Sequence, residues 1–237
     1  MLSVTNLSLQ ILKHVSFTLA DNNHLTILGN NGSGKTTLAK AICNLIYNDT
    51  ITLEGKRIGE LSPKERAKGI NFIPAKLNIY DEYLTVSEYL KLNVIDKNSA
   101  DHLDTVLKLL GIEHLKECRC HKLSSGESAL LLIGGAMIHH ARYTILDEPT
   151  ANLDQAKKIN VYQLLKNSPY FQNKIIITHD LNLAYKLGYT ILYLEEGEVR
   201  FFGECKEFFE KDHLKLCFAN TIKNLEGNFV VNYDETL

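Results

Sequence analysis

The sequence predicts an α/β fold in which a largely parallel sheet carries an antiparallel β subdomain and an inserted α-helical subdomain. Three observations carry that expectation. "YTIL" and "KIIIT" are short continuous apolar runs ending in polar residues, the pattern of parallel strands buried on both faces. "ITLEGKRI" and "ILYLEEGEVRFF" each set a glycine between β-prone runs, as hairpins do. Between Ala75 and His140 the strand signals stop and helical periodicity takes over.

Taken in order, "LSVTNLSLQI", "HVSFTLA" and "HLTIL" alternate and read as strands of a partly antiparallel sheet. A glycine-rich turn follows, then "KTTLAKAICNLI", which reads as a helix. "TVSEYLKLNVI" and "HLDTVLKLLGI" are the amphipathic helices of the insertion, and "LSSGESALLLIGGAMI" is a buried helix opened by a capping box, Ser124 followed three residues later by Glu127. From Gly203 onward, "ECKEFFEKDHLKLCFA" reads as one charged amphipathic helix and "NFVVNYDETL" as a short β-like tail.

Composition narrows the function classes. With 237 residues and 45% hydrophobic content the chain can bury a core as one domain with an insertion. A formal net charge of −2, spread along the chain, gives no basic field for nucleic acid, which is not expected as a partner. No apolar run reaches the ~20 residues that cross a bilayer, and "MLSVTNLSLQ" lacks a basic signal region, so a cytosolic chain is expected. Five scattered cysteines make no disulfide framework and agree with a reducing compartment. Cys118, Cys120 and His121, with His114 nearby, lack good ligand spacing for a metal and are expected to be solvated loop residues.

"GNNGSGKTT" matches G-x-x-x-x-G-K-[ST] at Gly29, Gly34, Lys35 and Thr36, between an expected strand and an expected helix. Glycines let backbone N–H groups curl around phosphates, Lys35 reaches the β- and γ-phosphates, and the Thr36 hydroxyl ligates Mg²⁺. The nucleotide-binding set is therefore Asn30, Asn31, Gly32, Ser33, Gly34, Lys35, Thr36 and Thr37. "YTILDEP" ends a buried strand in adjacent carboxylates, which are costly there unless a cation or a reaction uses them. Asp147 is the expected Mg²⁺ partner and Glu148 the base that polarises water. At the end of "IIITHD", His179 is placed to hydrogen-bond a γ-phosphate.

These motifs, with "LSSGE" and "ANLD" between them, stand in the order found in ABC-transporter ATPase subunits, and nearly the whole chain resembles that family. The resemblance implies a P-loop NTPase (RecA-like) core with its β subdomain over 1–74 and 141–203, a helical subdomain over 75–140 and a C-terminal helix and tail over 204–237. It implies ATP and Mg²⁺ as cofactors, Lys35, Glu148 and His179 as catalytic residues, and an ATP-dependent head-to-tail homodimer. In that dimer Ser124, Ser125 and Gly126 of one copy close on the γ-phosphate held by the other. It also implies integral-membrane permease subunits, a solute-binding protein acting through them, and a peripheral position on the cytoplasmic face of the membrane. The stretches "THDLNLAYKLGYTILYLEEGEV" and "ITLEGKRIGELSPKERAKGINFIP" and the tail "EFFEKDHLKLCFA" are similar to importer ATPases for iron-siderophore, haem and cobalamin uptake.

The chain departs from the family at four places. "FIPAKLN" has Ala75 where the family carries a glutamine that touches Mg²⁺; the first glycine of the signature is Ser125; "SLQILKHVSF" lacks the aromatic that stacks on adenine; and "SALLL" replaces basic residues after the signature. The alternative to a transport ATPase is an ATP-binding regulatory or slow-turnover module not coupled to transport.

Overall fold

The computed structural model describes residues 1–77, 81–95, 102–219 and 221–232. Strands β1 (Leu2–Leu9) and β2 (Leu12–Leu19) form a hairpin, with Gln10 at a left-handed φ of 55° in the connecting turn. They join β4 (Ile51–Leu53) and β5 (Lys56–Arg57) in an antiparallel sheet ordered β2-β1-β4-β5. Strand β3 (Leu25–Leu28) does not belong with them, contrary to the reading of "HLTIL" as part of the same sheet. All four of its residues are buried, so it takes the centre of a second sheet covered on both faces.

That second sheet is ordered β10-β9-β3-β8-β7-β6, formed by β6 (Ile70–Ile73), β7 (Tyr143–Asp147), β8 (Asn173–Ile177), β9 (Thr190–Glu195) and β10 (Glu198–Gly203). Every pair is parallel except β9 with β10. Both glycine-bearing hairpins turn through two successive left-handed residues, Glu54-Gly55 and Glu196-Gly197, the conformation whose twist matches the flanking strands. Because strands β3, β8 and β7 run parallel, they end side by side at one edge, where functional groups of such sheets collect.

Helix α1 (Lys35–Ile42) follows β3 and packs Leu38, Ala39, Ala41 and Ile42 between the two sheets. A short helix α2 (Pro63–Gly69) precedes β6, and α3 (Val86–Leu92) and α4 (Leu103–Leu110) then wrap around α5 (Ser125–His139). Helix α5 is buried almost all round from Leu130 to Ile138, which explains its apolar run: it is the axis of the helical layer and also contacts the sheet. At about 1.5–3 kcal/mol for each fully buried aliphatic side chain, this stretch is a major part of the core.

Helices α6 (Gln155–Asn167) and α7 (Leu181–Leu187) cover the sheet beside α5. Here a lysine is buried at the start of β8: Lys174 is 3% exposed, its ammonium 5.8 Å from the Tyr189 ring centre, and its backbone N–H donates to His24 Nδ1. Burial, reinforced by Lys174, pushes His24 down to about 4.

After β10 the expected single helix is two, α8 (Cys205–Phe208) and α9 (Lys211–Phe218). The break at Phe209 and Glu210 turns Phe208, Phe209 and Leu214 together into one aromatic cluster with Tyr193 and Phe229. The tail is a hairpin, β11 (Ile222–Leu225) with β12 (Asn228–Val231); the rest of "NFVVNYDETL", beyond Asn232, lies outside the described residues. Asn182 clips this hairpin to α7, donating to the Phe229 carbonyl and accepting from the Phe229 N–H. Among the described residues no helix is long and apolar enough to cross a membrane.

Candidate functional site

The edge where β3, β8 and β7 end is an open cavity of about 320 Å³ lined by Ile11, Asn31, Gly32, Gly34, Lys35, Thr36, Thr37, Ala75, Asp147 and Glu148. The phosphate loop forms one wall. Helix α1 starts at Lys35 with no side-chain cap and no acidic residue in its first turn, and its first three residues line the cavity, so its leading N–H groups are left available to an anion there. Gly34 stands before it at φ 105°, and a Cβ there would sit 2.8 Å from Leu12 Cδ2. The loop thus needs glycine both for its conformation and because the β1–β2 hairpin lies against it. The hairpin is fixed there by backbone: Lys13 N–H donates to the Gly197 carbonyl and Gly197 N–H to the Ser33 carbonyl.

Lys35 is 7% exposed and folds back on its own loop, donating to the Gly29 carbonyl at 2.7 Å and the Asn30 carbonyl at 2.8 Å. Burial pushes its pKa down, against Glu148 and Asp147, which hold it up. The Thr36 hydroxyl donates to Asp147 Oδ2 at 2.8 Å. Burial, with Glu148 beside it, raises the Asp147 pKa against the Thr36 bond and the charges of Lys35 and Lys40, which lower it. A hydroxyl and a carboxylate in contact beside a phosphate loop are hard oxygen donors of the type Mg²⁺ takes.

Glu148 follows at a left-handed φ of 50°, its N–H bonded to the Ile177 carbonyl. Its carboxylate is held from β8: His179 Nδ1 lies 2.7 Å from Oε1, and the Thr178 hydroxyl donates to Oε2 at 3.2 Å. Two residues at this edge were not singled out in the sequence. Thr178 was legible only as the hydroxyl residue before the histidine. Ile11, at the hairpin tip, also lines the cavity.

Ser124, Ser125 and Gly126 do not line this cavity. Ser124 caps α5, with its N–H and hydroxyl both donating to Glu127 and the Glu127 N–H returning to Ser124 Oγ. Ser125 is the first residue of α5 and has no left-handed φ, so a serine meets no strain where the family has glycine. Gly126 is packed on the "ANLD" turn, with a Cβ position 3.1 Å from the Asn152 carbonyl oxygen. Among the described residues no cluster of His, Cys, Asp and Glu is arranged for a metal. The solvated-loop reading of Cys120 is corrected: it is 3% exposed, packed in the helical core, and burial pushes its thiol up to about 11.

A family model described as ABC transporter matches residues 12–151. The chain belongs to the ABC transporter family. It is 32% identical over 177 residues to the zinc import ATP-binding protein ZnuC 1 of Aliivibrio fischeri, covering 73% of this chain and 65% of that protein. It is also 32% identical over 195 residues to an ABC transporter ATP-binding protein of Clostridium tetani, of whose length it spans 45%. Its fold matches an inward-facing ABC transporter described as of metal-chelate type, with a TM-score of 0.78 at 23% identity over 98% of this chain and 97% of that one. It matches cbiO1 of Clostridium perfringens, part of the transporter complex cbiONQ, with a TM-score of 0.72 at 26% identity over 92% and 95%. As a member of this family the chain is an ATP-binding cassette with ATPase chemistry.

Proposed function

We propose that this chain is the ATP-hydrolysing subunit of an ABC importer for a metal-containing solute of the iron-siderophore, haem or cobalamin type. The observation that carries the hydrolytic part is the convergence of Lys35, Thr36, Asp147 and Glu148 on one cavity at a helix start. The metal-solute part is supported by the zinc-import relative and the metal-chelate-type neighbour, and it rests on those resemblances.

ATP binds with its phosphates against the loop from Asn30 to Thr37 and the N-terminus of α1. Lys35 releases the Gly29 and Asn30 carbonyls and turns to the β- and γ-phosphates, exchanging neutral acceptors for charged ones. Thr36 and Asp147 would hold Mg²⁺, which would neutralise charge on the phosphate oxygens. Glu148 accepts a proton from a water whose oxygen attacks the γ-phosphorus; the bond to the β,γ-bridging oxygen breaks, leaving ADP and phosphate. His179 leaves Glu148 for the γ-phosphate. Ser124, Ser125 and Gly126 lie outside the cavity within one chain, and the family resemblance implies that they reach the γ-phosphate from a second copy packed head to tail, the pair docking on membrane subunits at the cytoplasmic face.

Glu148→Gln tests this. Removing the base leaves binding and closure intact, so the variant should run as a dimer on gel filtration in Mg-ATP. A monomer at saturating nucleotide would refute the sandwich. The second reading, a slow module not coupled to transport, is favoured by Ala75, which lines the cavity and offers no side-chain oxygen. Turnover that stays unchanged when the membrane subunits are added would favour it.

A further inference from the structure

Resting on Glu148 as the base, we propose that Thr178 is the positioning residue that aims it. The two are neighbours one step beyond the last register pair of adjacent parallel strands, Asp147 with Ile177, and each is tied to that sheet by its own backbone: Glu148 N–H to the Ile177 carbonyl, Thr178 N–H to the Ile27 carbonyl. Thr178 is wholly buried. Its hydroxyl accepts from the Asp180 N–H at 3.0 Å, which leaves its single proton for Glu148 Oε2, an acceptor-only group. The hydroxyl rotor is therefore set by the fold and requires no ligand.

His179 differs in kind. It holds the other oxygen, Oε1, through a side chain that is 64% exposed against 18% for Glu148. When His179 departs, Oε1 is freed while Oε2 stays held by Thr178. The carboxylate is thus kept from swinging, and Oε1 is the oxygen presented to water. Without the Thr178 hydroxyl, the departure of His179 leaves the base with no hydrogen-bonding side chain among the described residues, and a base displaced by a fraction of an ångström loses much of its rate.

The test compares pairs differing by one oxygen: Thr178 with Thr178→Val, and Thr178→Ser with Thr178→Ala. Each oxygen deletion should lower kcat about tenfold with KM for Mg-ATP unchanged, while Thr178→Ser stays within about threefold of wild type; the Asp180 N–H also loses its acceptor, so the thermal midpoint should fall by the same amount with and without Glu148→Gln. In a Glu148→Gln background the same deletions should cause no further loss of kcat, because the base they aim is gone. Wild-type kcat in Thr178→Val, equal rates for Thr178→Ser and Thr178→Ala, or the same fold-loss in the Glu148→Gln background would overturn the proposal. Should Thr178→Val fail to fold, the serine–alanine pair decides alone. Wild-type turnover by Glu148→Gln itself would instead overturn the underlying assignment of the base.

Discussion

Replacing Lys35 by methionine removes the ammonium while keeping the buried stem filled, which isolates charge from packing. The ammonium makes two short bonds, to the Gly29 and Asn30 carbonyls, which compete with any bond it makes to phosphate. The bound state has to more than offset them through charge-assisted bonds to phosphate, each contributing about 1.5–3 kcal/mol. A net loss of about 2–3 kcal/mol is expected, a rise in Kd for Mg-ATP of about 30- to 150-fold. The rise for Mg-ADP should be smaller, since ADP lacks the γ-phosphate. A second effect appears without nucleotide. The Asn30 carbonyl keeps the Ser33 N–H, but the buried Gly29 carbonyl loses its charged donor, so the empty variant should lose about 1–3 kcal/mol of stability. Calorimetric titration with both nucleotides and denaturant unfolding of the empty protein read the two effects separately. A Kd for Mg-ATP within about twofold of wild type would show that the lysine is a structural staple of the loop and would remove it from phosphate recognition.

Two other outcomes follow from particular residues. Ala75→Gln restores an oxygen at the cavity wall and should raise turnover about two- to fivefold at saturating Mg-ATP, modestly because Mg²⁺ readily keeps water in an open position; a variant no faster with or without membrane subunits would show the wall rebuilt around alanine. His24 titrates at about 4 in the folded chain against 6.5 when unfolded, so the unfolded chain takes up a proton the folded chain refuses. That contribution is complete above the unfolded value and is lost as pH falls through the window down to about 4, costing about 1–2 kcal/mol at pH 5 once partial solvent exposure is allowed for. His24→Phe should flatten this acid loss, measured as urea midpoints near neutral pH and at about pH 5; an equally steep loss in the variant would place the acid sensitivity elsewhere.

The α/β class and its helical insertion were legible because continuous apolar strands and 3.6-residue periodicity have few other solutions. The loop carrying Lys35 and Thr36 was legible for a different reason: glycine, lysine and threonine at fixed offsets express a backbone geometry, and a local motif keeps that geometry wherever the chain goes. Sheet membership of "HLTIL" was not legible, since four apolar residues say only that both faces are covered, not by which neighbours. The split of the C-terminal helix was hidden too, because the aromatic cluster that bends the chain at Phe209 joins residues distant in sequence. Thr178 escaped for the same reason: its hydroxyl acquires a purpose only when strand register sets it beside Glu148.

The clip between Asn182 and Phe229 gives the C-terminal hairpin an observable of its own. The Phe229 N–H has its acceptor on the second residue of α7, whose first turn begins directly after His179 and Asp180. It exchanges with deuterium only when that clip opens, so its protection measures the free energy of opening the contact between the hairpin and Asn182 at the start of α7. A backbone amide far along the chain from the phosphate loop is thereby a built-in reporter of order beside His179, readable by exchange without a label, a mutation or a catalytic turnover.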